Sequence, residues 1–398
     1  MTLAHQSPML SVSKNFTFDE SIRSYEFHKF QPFSNTSFNN NDEIRISLNA
    51  QDGYLHLSES FIQMDGLIDK MATTLTDNGP SFLFSEVRLE LNSKQIDQVR
   101  HVGITSMMKS LASYSKEEAT SMKVCGYKQM SFDANTGKWS VAIPLKHWLG
   151  IAEDFNKLIL NSKLELILIR AKSDKNFYTH TAELKVEVKN LVWYVPFVEP
   201  SDQHKITLLN ILNTYKTLSI PFRTRELYDY PSVPSQTNTF NWPIKTSTHL
   251  ERPRFILFAL QIDRDENLAK KASEFDHGSL TNVRAYINSE VYPYTALNVN
   301  FDELKYAHLF LHFLNFRKNY YNRKESEIDV DMDNFKSKYS IWIIDCSRQN
   351  EAIKSSSIDV RLSIEAKQNF PDKTHAFCLI LSDRVFEYIP ASGIVRQM

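Results

Sequence analysis

The amino-acid sequence predicts a mainly β fold made of two similar antiparallel units, with a few helices in the connections. Three observations support this prediction. Strand-like segments dominate both halves of the chain, several of them recur in the same order in each half, and the helix-like segments fall between them. Internal repetition indicates the architecture of a chain more strongly than any single motif does.

The first recurrence lies in two strand-like segments. In the first half, Val87-Arg88 is followed after two residues by Leu91-Asn92-Ser93. In the second half, Val283-Arg284 is followed after two residues by Ile287-Asn288-Ser289. Each segment alternates apolar and polar residues, the period of a strand with one buried face, and each ends in Asn-Ser, whose side chains favour turns. We therefore interpret this motif as one strand and turn that occurs once per unit.

Two further recurrences follow in the same order and at nearly the same spacing. Residues 138–145 resemble residues 339–346, and residues 164–177 resemble residues 358–370. The aligned residues are Trp139-Ser140-Val141 with Tyr339-Ser340-Ile341, Asn176-Phe177 with Asn369-Phe370, and Tyr194-Val195-Pro196 with Tyr388-Ile389-Pro390. Convergent strand composition explains one such match, but three ordered matches predict a tandem duplication.

The remaining elements agree with a repeated β unit. Residues 42–48 and 53–64 alternate as half-buried strands, and residues 254–262 are typical of a more buried strand at the matching place. Residues 183–197 and 376–390 each predict consecutive strands. Helices are predicted at Val102 to Ala119 and at Asp302 to Asn319, in each case after the repeated strand.

A short connecting helix is predicted between the halves. Pro200-Ser201-Asp202 has the composition of a helix start, and Ile206, Leu209, Leu212 and Tyr215 recur at helical spacing. The proline-rich stretch at 228–244 predicts a loop or edge strand. The chain therefore divides into an N-terminal arm with the first barrel (1–198), a linker (199–217), and the second barrel with a C-terminal tail (218–398).

Each half carries many short strands without strict β-α-β alternation, which excludes a parallel sheet. Antiparallel Greek-key arrangements suit this pattern, and the eight-stranded jelly roll is a leading member. The predicted fold is therefore two tandem antiparallel eight-stranded jelly-roll barrels.

Composition excludes several function classes. Lys and Arg total 46 against 47 Asp and Glu, so no electrostatic footprint for sequence-specific nucleic-acid binding is visible. Only 9 glycines occur among 398 residues, too few for the phosphate-binding loops of nucleotide enzymes. The sparse cysteines Cys125, Cys346 and Cys378 suit a reducing compartment, and we expect neither secretion nor a membrane span.

Four stretches were considered as chemical sites. The acidic residues 329–334 lack the Gly and Glu of an EF-hand, and we interpret them as a solvated loop. His308 and His312 have a metal-clamping spacing, but Leu309 replaces the Glu of the zinc-protease motif, and apolar neighbours favour a buried helix. A catalytic Cys needs a base and oxyanion donors close in space, which a sequence does not show. We interpret Cys346 as the end of a strand before a polar turn and residues 276–279 as a loop. The sequence predicts no catalytic residue, no metal site and no cofactor.

The second half resembles a known family. Residues 252–265 (RPRFILFALQIDRD), 280–294 (LTNVRAYINSEVYPY), 342–351 (WIIDCSRQNE) and 382–390 (SDRVFEYIP) resemble segments of double jelly-roll-like proteins encoded in arthropod and other invertebrate genomes. That family is similar to the major capsid proteins of Maverick/Polinton-type elements and related double-stranded DNA viruses. The resemblance is best over residues 250–390 and reaches the first half through the repeat.

The resemblance implies a structural, non-enzymatic capsid protein located in the virion and assembled in the nucleus or cytoplasm. Its partners would be two further copies, giving a trimer of six barrels that occupies a pseudo-hexagonal lattice position, and then minor capsid or penton proteins. A domesticated capsid-derived protein and a ligand- or carbohydrate-binding pair of sandwiches are the alternatives. A duplicated metal-dependent barrel enzyme is disfavoured because the chain has no His-x-His motif.

The second predicted helix is a candidate subunit interface. It is apolar almost all round, which requires burial on several sides. Burial inside the barrel is the simpler explanation, and burial between subunits is the alternative. The predicted interface residues are Tyr306, Leu309, Phe310 and Phe313.

Overall fold

A computed structural model of the protein describes residues 20–33, 38–69, 74–128, 130, 132–247, 253–288, 290–323, 327–348 and 358–398. The strands of the first half are β1 Ile22–Phe30, β2 Glu43–Leu55, β3 Phe61–Ile68, β4 Thr74–Leu75, β5 Phe84–Leu91, β6 Lys94–Arg100, β7 Lys138–Pro144, β8 Ile159–Arg170, β9 Tyr178–Thr179 and β10 Val186–Pro200. The strands of the second half are β11 Leu218–Tyr230, β12 Thr239–Ser247, β13 Pro253–Ile262, β14 Leu280–Ile287, β15 Glu290–Tyr292, β16 Ile341–Asp345, β17 Ile358–Ala366, β18 Thr374–Ile389 and β19 Ile394–Gln397.

The helices lie in the connections between strands. They are α1 Gly79–Phe82, α2 Val102–Ser113, α3 Lys116–Ser121, α4 Leu145–Trp148, α5 Gly150–Asp154, α6 Asp202–Asn213, α7 Ala307–Tyr321 and α8 Met332–Ser337. Short 3-10 helices occupy Leu57–Glu59, Met122–Cys125 and Lys175–Phe177. Strands dominate and helices fill connections, as the sequence predicts.

Both halves have the same strand order in their two layers, and in the first half Phe197 of β10 also pairs with Leu55 of β2 and joins the layers into one sheet. In the first half, one layer has the order β1-β10-β3-β7 and the other has the order β2-β8-β5-β6. In the second half, the corresponding layers are β11-β18-β13-β16 and β12-β17-β14-β15, and β19 extends the first of them through β18. All these pairings are antiparallel. Two eight-stranded jelly rolls in tandem are therefore confirmed.

The recurring sequence segments occupy equivalent strands. The first recurrence is β5 and β14, the second falls on β7 and β16, and the third on β8 and β17. In β5 the apolar residues Val87, Leu89 and Leu91 are buried, and their counterparts in β14 are buried as well. The repeated arginines, Arg88 and Arg284, are half-buried on the opposite face of their strands. This supports their interpretation as structural positions.

The buried side chains form a continuous core that extends through both barrels. Trp193 lies at its centre in the first barrel and Trp342 in the second, each at most 1% exposed. Because this core is continuous from one barrel to the other, the two halves pack directly against each other.

Both helices predicted after the repeated strand differ in their bounds from the structure. The helix predicted from Val102 to Ala119 is interrupted at Tyr114, because Ser115 and Glu118 form a capping box that starts α3 as a separate helix. The helix predicted from Asp302 begins only at Ala307, after a turn in which Leu304 has a φ of 56°. Residues before it therefore cannot continue the helix.

The consecutive strands predicted at 183–197 and 376–390 are wrong. Each region is one long strand, β10 or β18. Each strand is paired along its whole length: β10 pairs with β1, β2 and β3, and β18 pairs with β11, β13 and β19.

The connecting helix is found as α6, but it packs through a different face from the predicted one. Leu208, Ile211 and Leu212 contact a small cluster on the first barrel, whereas Ile206 and Leu209 are exposed. The division of the chain into units at 198 and 218 stays a prediction. β10 ends at Pro200, two residues beyond the predicted boundary.

Candidate functional site at the junction of the two barrels

The junction between the barrels is built from α4 and α5 of the first half and from β11 and α7 of the second. Gly150, the first residue of α5, lies directly beneath β11. A Cβ atom at this position would be 1.8 Å from the carbonyl oxygen of Arg223. Only glycine therefore permits this approach of the two backbones.

Arg223 joins β11 to the end of α5. Its Nε lies 2.8 Å from Oδ2 of Asp154 and its Nη2 lies 2.5 Å from Oδ1, while its backbone N–H donates to Oδ2 over 2.8 Å. The guanidinium also stacks over the ring of Tyr320 in α7, 3.5 Å from the ring centroid. A planar guanidinium with a bidentate carboxylate and an aromatic face is held in one orientation.

Arg225 projects from the same face of β11, two residues further along. It is fully buried, donates to Oε2 of Glu153 over 2.8 Å, and donates to the carbonyl of His147 over 2.7 Å. Burying an arginine is costly unless its charge is paired and hydrogen-bonded. Here α4 and α5 supply the partners.

Glu153 is the centre of this network. Lys109 of α2 forms an ion pair with Oε1, and the hydroxyls of Tyr320 and Tyr321 in α7 donate to the carboxylate over 3.0 and 2.6 Å. Burial by itself would raise the pKa of Glu153, but Lys109 and Arg225 outweigh it and lower the pKa well below its usual range. The carboxylate therefore stays charged and links three helices with β11.

The network continues into the first barrel through His147. Its Nε2 lies 2.9 Å from Oδ1 of Asn78 and its Nδ1 lies 2.9 Å from the hydroxyl of Tyr114. Because the Asn78 oxygen can only accept, Nε2 carries the proton and Nδ1 accepts from Tyr114. Burial, with the neighbouring cations Arg225 and Lys109, lowers the pKa of His147 to about 3.

A second set of contacts lies at the end of the long strand β18. The hydroxyl of Tyr388 is 2.6 Å from the carbonyl oxygen of Leu160, and Asn161 donates to the carbonyl of Pro390 over 2.7 Å. These bonds hold the start of β8 against the second barrel. The junction is therefore held here as well as at the Glu153 network.

This arrangement joins the two barrels. Glu153 places its negative charge between the cations of Lys109 and Arg225, and the Nη groups of Arg225 donate to backbone carbonyls or to the same carboxylate. Among the described residues, Nε of Arg225 has no hydrogen-bond partner. This network was not predicted from the sequence. Its only visible signal was the pair Arg223 and Arg225 on one face of a strand, with no indication of their partners.

Three of the four candidate stretches have structural explanations. Asp331 caps α8 by accepting from the backbone N–H of Asn334 over 2.7 Å, which accounts for the acidic loop. Cys346 is fully buried, and burial raises the pKa of its thiol, so no thiolate is available. In the loop at 276–279, Asp276 pairs with Arg264 over 2.8 Å.

The predicted interface residues lie mostly inside the chain. Tyr306, Leu309 and Phe313 are at most 3% exposed, and Phe310 is half-buried against Phe335, 5.2 Å between ring centroids. The simpler explanation, burial within the barrel, therefore accounts for them. Contact of α7 with another subunit stays a prediction and has to involve its outward side.

An exposed aromatic strip lies on the first barrel. Tyr25 and Phe27 on β1 are 40% and 47% exposed. The ring of Phe27 packs against the ring of Phe61 in β3, with centroids 5.6 Å apart. Phe61 in turn stacks on Tyr194 of β10 at 4.8 Å. Within the described residues β1 pairs with β10 alone, so its other edge is open. Exposed aromatics beside an open edge are typical of a surface that another chain covers.

A polar cleft of about 860 Å³ lies at one end of the first barrel. Its charged lining includes Arg170, Lys172 and Glu187, whereas the aromatic residues Phe38 and Tyr178 in the lining are buried. Among the described lining residues there is therefore no exposed aromatic platform of the kind that stacks against sugars. Among the described helices none has the length and apolarity to cross a membrane.

Comparisons with known proteins agree with this fold. No curated protein matches the chain. A chain of the Sputnik virophage structure is similar with 10% identity and a TM-score of 0.60, covering 100% of this chain and 93% of that one. The mavirus major capsid protein is 11% identical with a TM-score of 0.58, covering 100% and 94%. The Faustovirus major capsid protein is 8% identical with a TM-score of 0.59, covering 96% and 92%.

At these identities the similarity to solved structures shows a shared fold. The family is shown separately, because a model of the double jelly roll-like domain matches residues 73–386, most of both barrels. The chain belongs to the double jelly roll-like domain family.

Proposed function

We propose that this protein is a structural, non-enzymatic major capsid subunit of an icosahedral virus or virus-like shell. The observation that carries the proposal is the pair of barrels with the same topology, locked side by side by a buried ionic junction. Family membership and the fold shared with the mavirus and Faustovirus major capsid proteins support it. The protein is accordingly proposed to reside in the virion.

The duplication has a physical purpose in a shell. Three chains with two barrels each would present six barrels around one axis, so a trimer would fill a lattice position of near-sixfold shape. Such a capsomer needs a constant angle between its barrels. The Glu153 network supplies this rigidity. Rotating one barrel against the other would separate buried charges from the partners that neutralise them, which is strongly unfavourable.

Contacts between subunits need exposed apolar surface. The aromatic strip of Tyr25, Phe27, Phe61 and Tyr194 on the first barrel is such a surface, and its open strand edge offers unpaired backbone groups. We propose that a second copy of the chain covers this strip in the capsomer or shell. Minor capsid or penton proteins would then occupy lattice positions that the trimer does not fill.

Particle size of the purified protein tests the proposal. Light scattering after size exclusion should give a mass near three times the 46.3 kDa chain, and negative-stain microscopy should show pseudo-hexagonal particles or closed shells. A protein that stays monomeric across salt concentration and pH would overturn the proposal. A domesticated copy that has kept the capsomer contacts would give trimers without shells.

A further inference from the structure

Two histidines on α7 converge on a single point. His308 and His312 are one helical turn apart, and their Nε2 atoms are 3.2 Å from each other. Their rings meet edge to face, with centroids 4.9 Å apart and an angle of 71° between the planes. His308 is exposed and His312 is half-buried, so solvent reaches the convergence point.

The separation of the two nitrogens fits a shared metal ion. Imidazole nitrogens bind Zn²⁺ at about 2.0–2.1 Å in tetrahedral geometry, which places two ligand nitrogens about 3.3 Å apart. The Nε2 atoms of His308 and His312 already have nearly this spacing. A single N–H···N bond between the rings gives a similar distance, so a metal ion could take the place of one proton without moving the helix.

The surroundings of the pair suit a positive charge. The backbone of Ile343 in β16 lies near the ring of His312 and favours its charged form. The carboxylate of Asp345, which acts on His312 electrostatically, adds a negative charge that favours a cation here.

We propose that His308 and His312 form a bidentate site for a borderline transition-metal ion such as Zn²⁺, on the outward flank of α7. This goes beyond the proposed capsid function and does not depend on it. Among the described residues no three His, Cys, Asp or Glu side chains group around one point. The site therefore supplies two protein ligands and leaves the other coordination positions to water.

Titration of the chelator-treated full chain with ZnCl₂ tests the proposal. We expect saturable binding of about one equivalent that His308→Ala or His312→Ala weakens about tenfold or more. His204→Ala is the matched control, since His204 is an exposed histidine of the helix α6 without a histidine one turn away. It should leave the affinity unchanged.

Two further readouts separate metal ligation from a structural role. Cu²⁺ bound to the wild-type chain should give an electron paramagnetic resonance spectrum with splitting from two imidazole nitrogens, and each variant should lose one. ZnCl₂ should raise the melting temperature of wild type and of His204→Ala but not of the α7 variants, because binding to the folded state alone stabilises it. Equal zinc affinity in wild type and both α7 variants would overturn the proposal, as would no binding at all. Shell formation is measured separately, so neither outcome bears on the capsid proposal.

Discussion

Asn92 and Asn288 form the same pair of hydrogen bonds in the two barrels. Each asparagine has a positive φ, 49° and 55°, directly after its repeated strand. Asn92 donates from its backbone to the carbonyl of Lys163 and accepts the N–H of Lys163 on Oδ1, both over 2.8 Å. Asn288 does the same with Asp359, both over 2.9 Å. The recurring Asn therefore closes the turn of β5 or β14 and ties it to the neighbouring strand.

Asn92→Ala should destabilise the protein more than Asn288→Ala. Both variants lose the hydrogen bond to Oδ1, and both place alanine, which has no polar side chain, at a positive φ. Together these changes should lower the free energy of unfolding by about 2 kcal/mol. Asn92 also donates from Nδ2 to the carbonyl of Gly393 in the second barrel, over 2.9 Å. For Asn288 no corresponding bond to the first barrel is found among the described residues. Urea unfolding of the two variants measures the difference, expected near 1 kcal/mol, and equal losses would contradict it.

Glu153→Gln should be strongly destabilising. It leaves Lys109 and Arg225, both at most 2% exposed, without the negative charge that neutralises them. Removing one partner of a buried ion pair costs about 3–5 kcal/mol. The matched control is Glu59→Gln, whose exposed ion pair with Lys146 spans 3.5 Å and should contribute less than about 1 kcal/mol. Similar melting temperatures for the two variants would show that the junction contributes little.

His147 should make the protein lose stability in mild acid. Its pKa is lowered to about 3 by burial and by Arg225 and Lys109, whereas an unfolded histidine titrates near about 6.5. The stabilisation from the neutral ring is therefore complete above the unfolded-state pKa of about 6.5. It falls by about 1.4 kcal/mol per pH unit as the pH decreases below it, because only the unfolded state takes up the proton.

His147→Gln removes this proton uptake while it keeps a polar side chain. Between pH 6.5 and 5, the free energy of unfolding should therefore decrease less in His147→Gln than in wild type. Other buried histidines contribute equally to both proteins, so the difference isolates His147. His204→Gln, on the exposed helix α6, is the control and should follow wild type. Parallel pH dependence in wild type and His147→Gln would contradict the prediction.

Phe27→Glu should impair assembly without unfolding the barrel. Phe27 is 47% exposed, so a charge there is hydrated in the isolated chain, but it would be buried if a second copy covers the aromatic strip. We expect the trimer or shell fraction in light scattering to fall, with the melting temperature of the chain nearly unchanged. Tyr294→Glu is the control, since Tyr294 is an exposed aromatic residue of the second barrel outside the strip. Unaltered assembly of Phe27→Glu would place the subunit contact elsewhere.

Much of the fold could be predicted because its signals are local. Alternation in β5 and β14 identifies strands with one buried face, and the ordered recurrences assign them to equivalent places. Boundaries were less accurate where tertiary contacts decide them. The helix after β6 stops at Ser113, although its composition allows it to continue to Ala119.

The junction could not be predicted, for a physical reason. Glu153 and Arg225 are distant in sequence. Nothing in the sequence around either residue distinguishes it from a charged residue on a solvated surface. Only the packing of α5 beneath β11, which Gly150 permits, brings the two together and removes them from water. The same holds for His308 and His312: their spacing is visible in the sequence, but the convergence of their Nε2 atoms depends on the rotamers of the two side chains.

The sequence by itself therefore determined that the chain is a duplicated β protein, and which segments correspond between its halves. These properties depend on the period of apolar residues along short segments and on the likeness of those segments. Only the tertiary structure decided how the barrels are joined, which faces of α6 and α7 remain outside, and where charges are buried. Such properties depend on contacts between residues far apart in the chain, which local patterns do not encode.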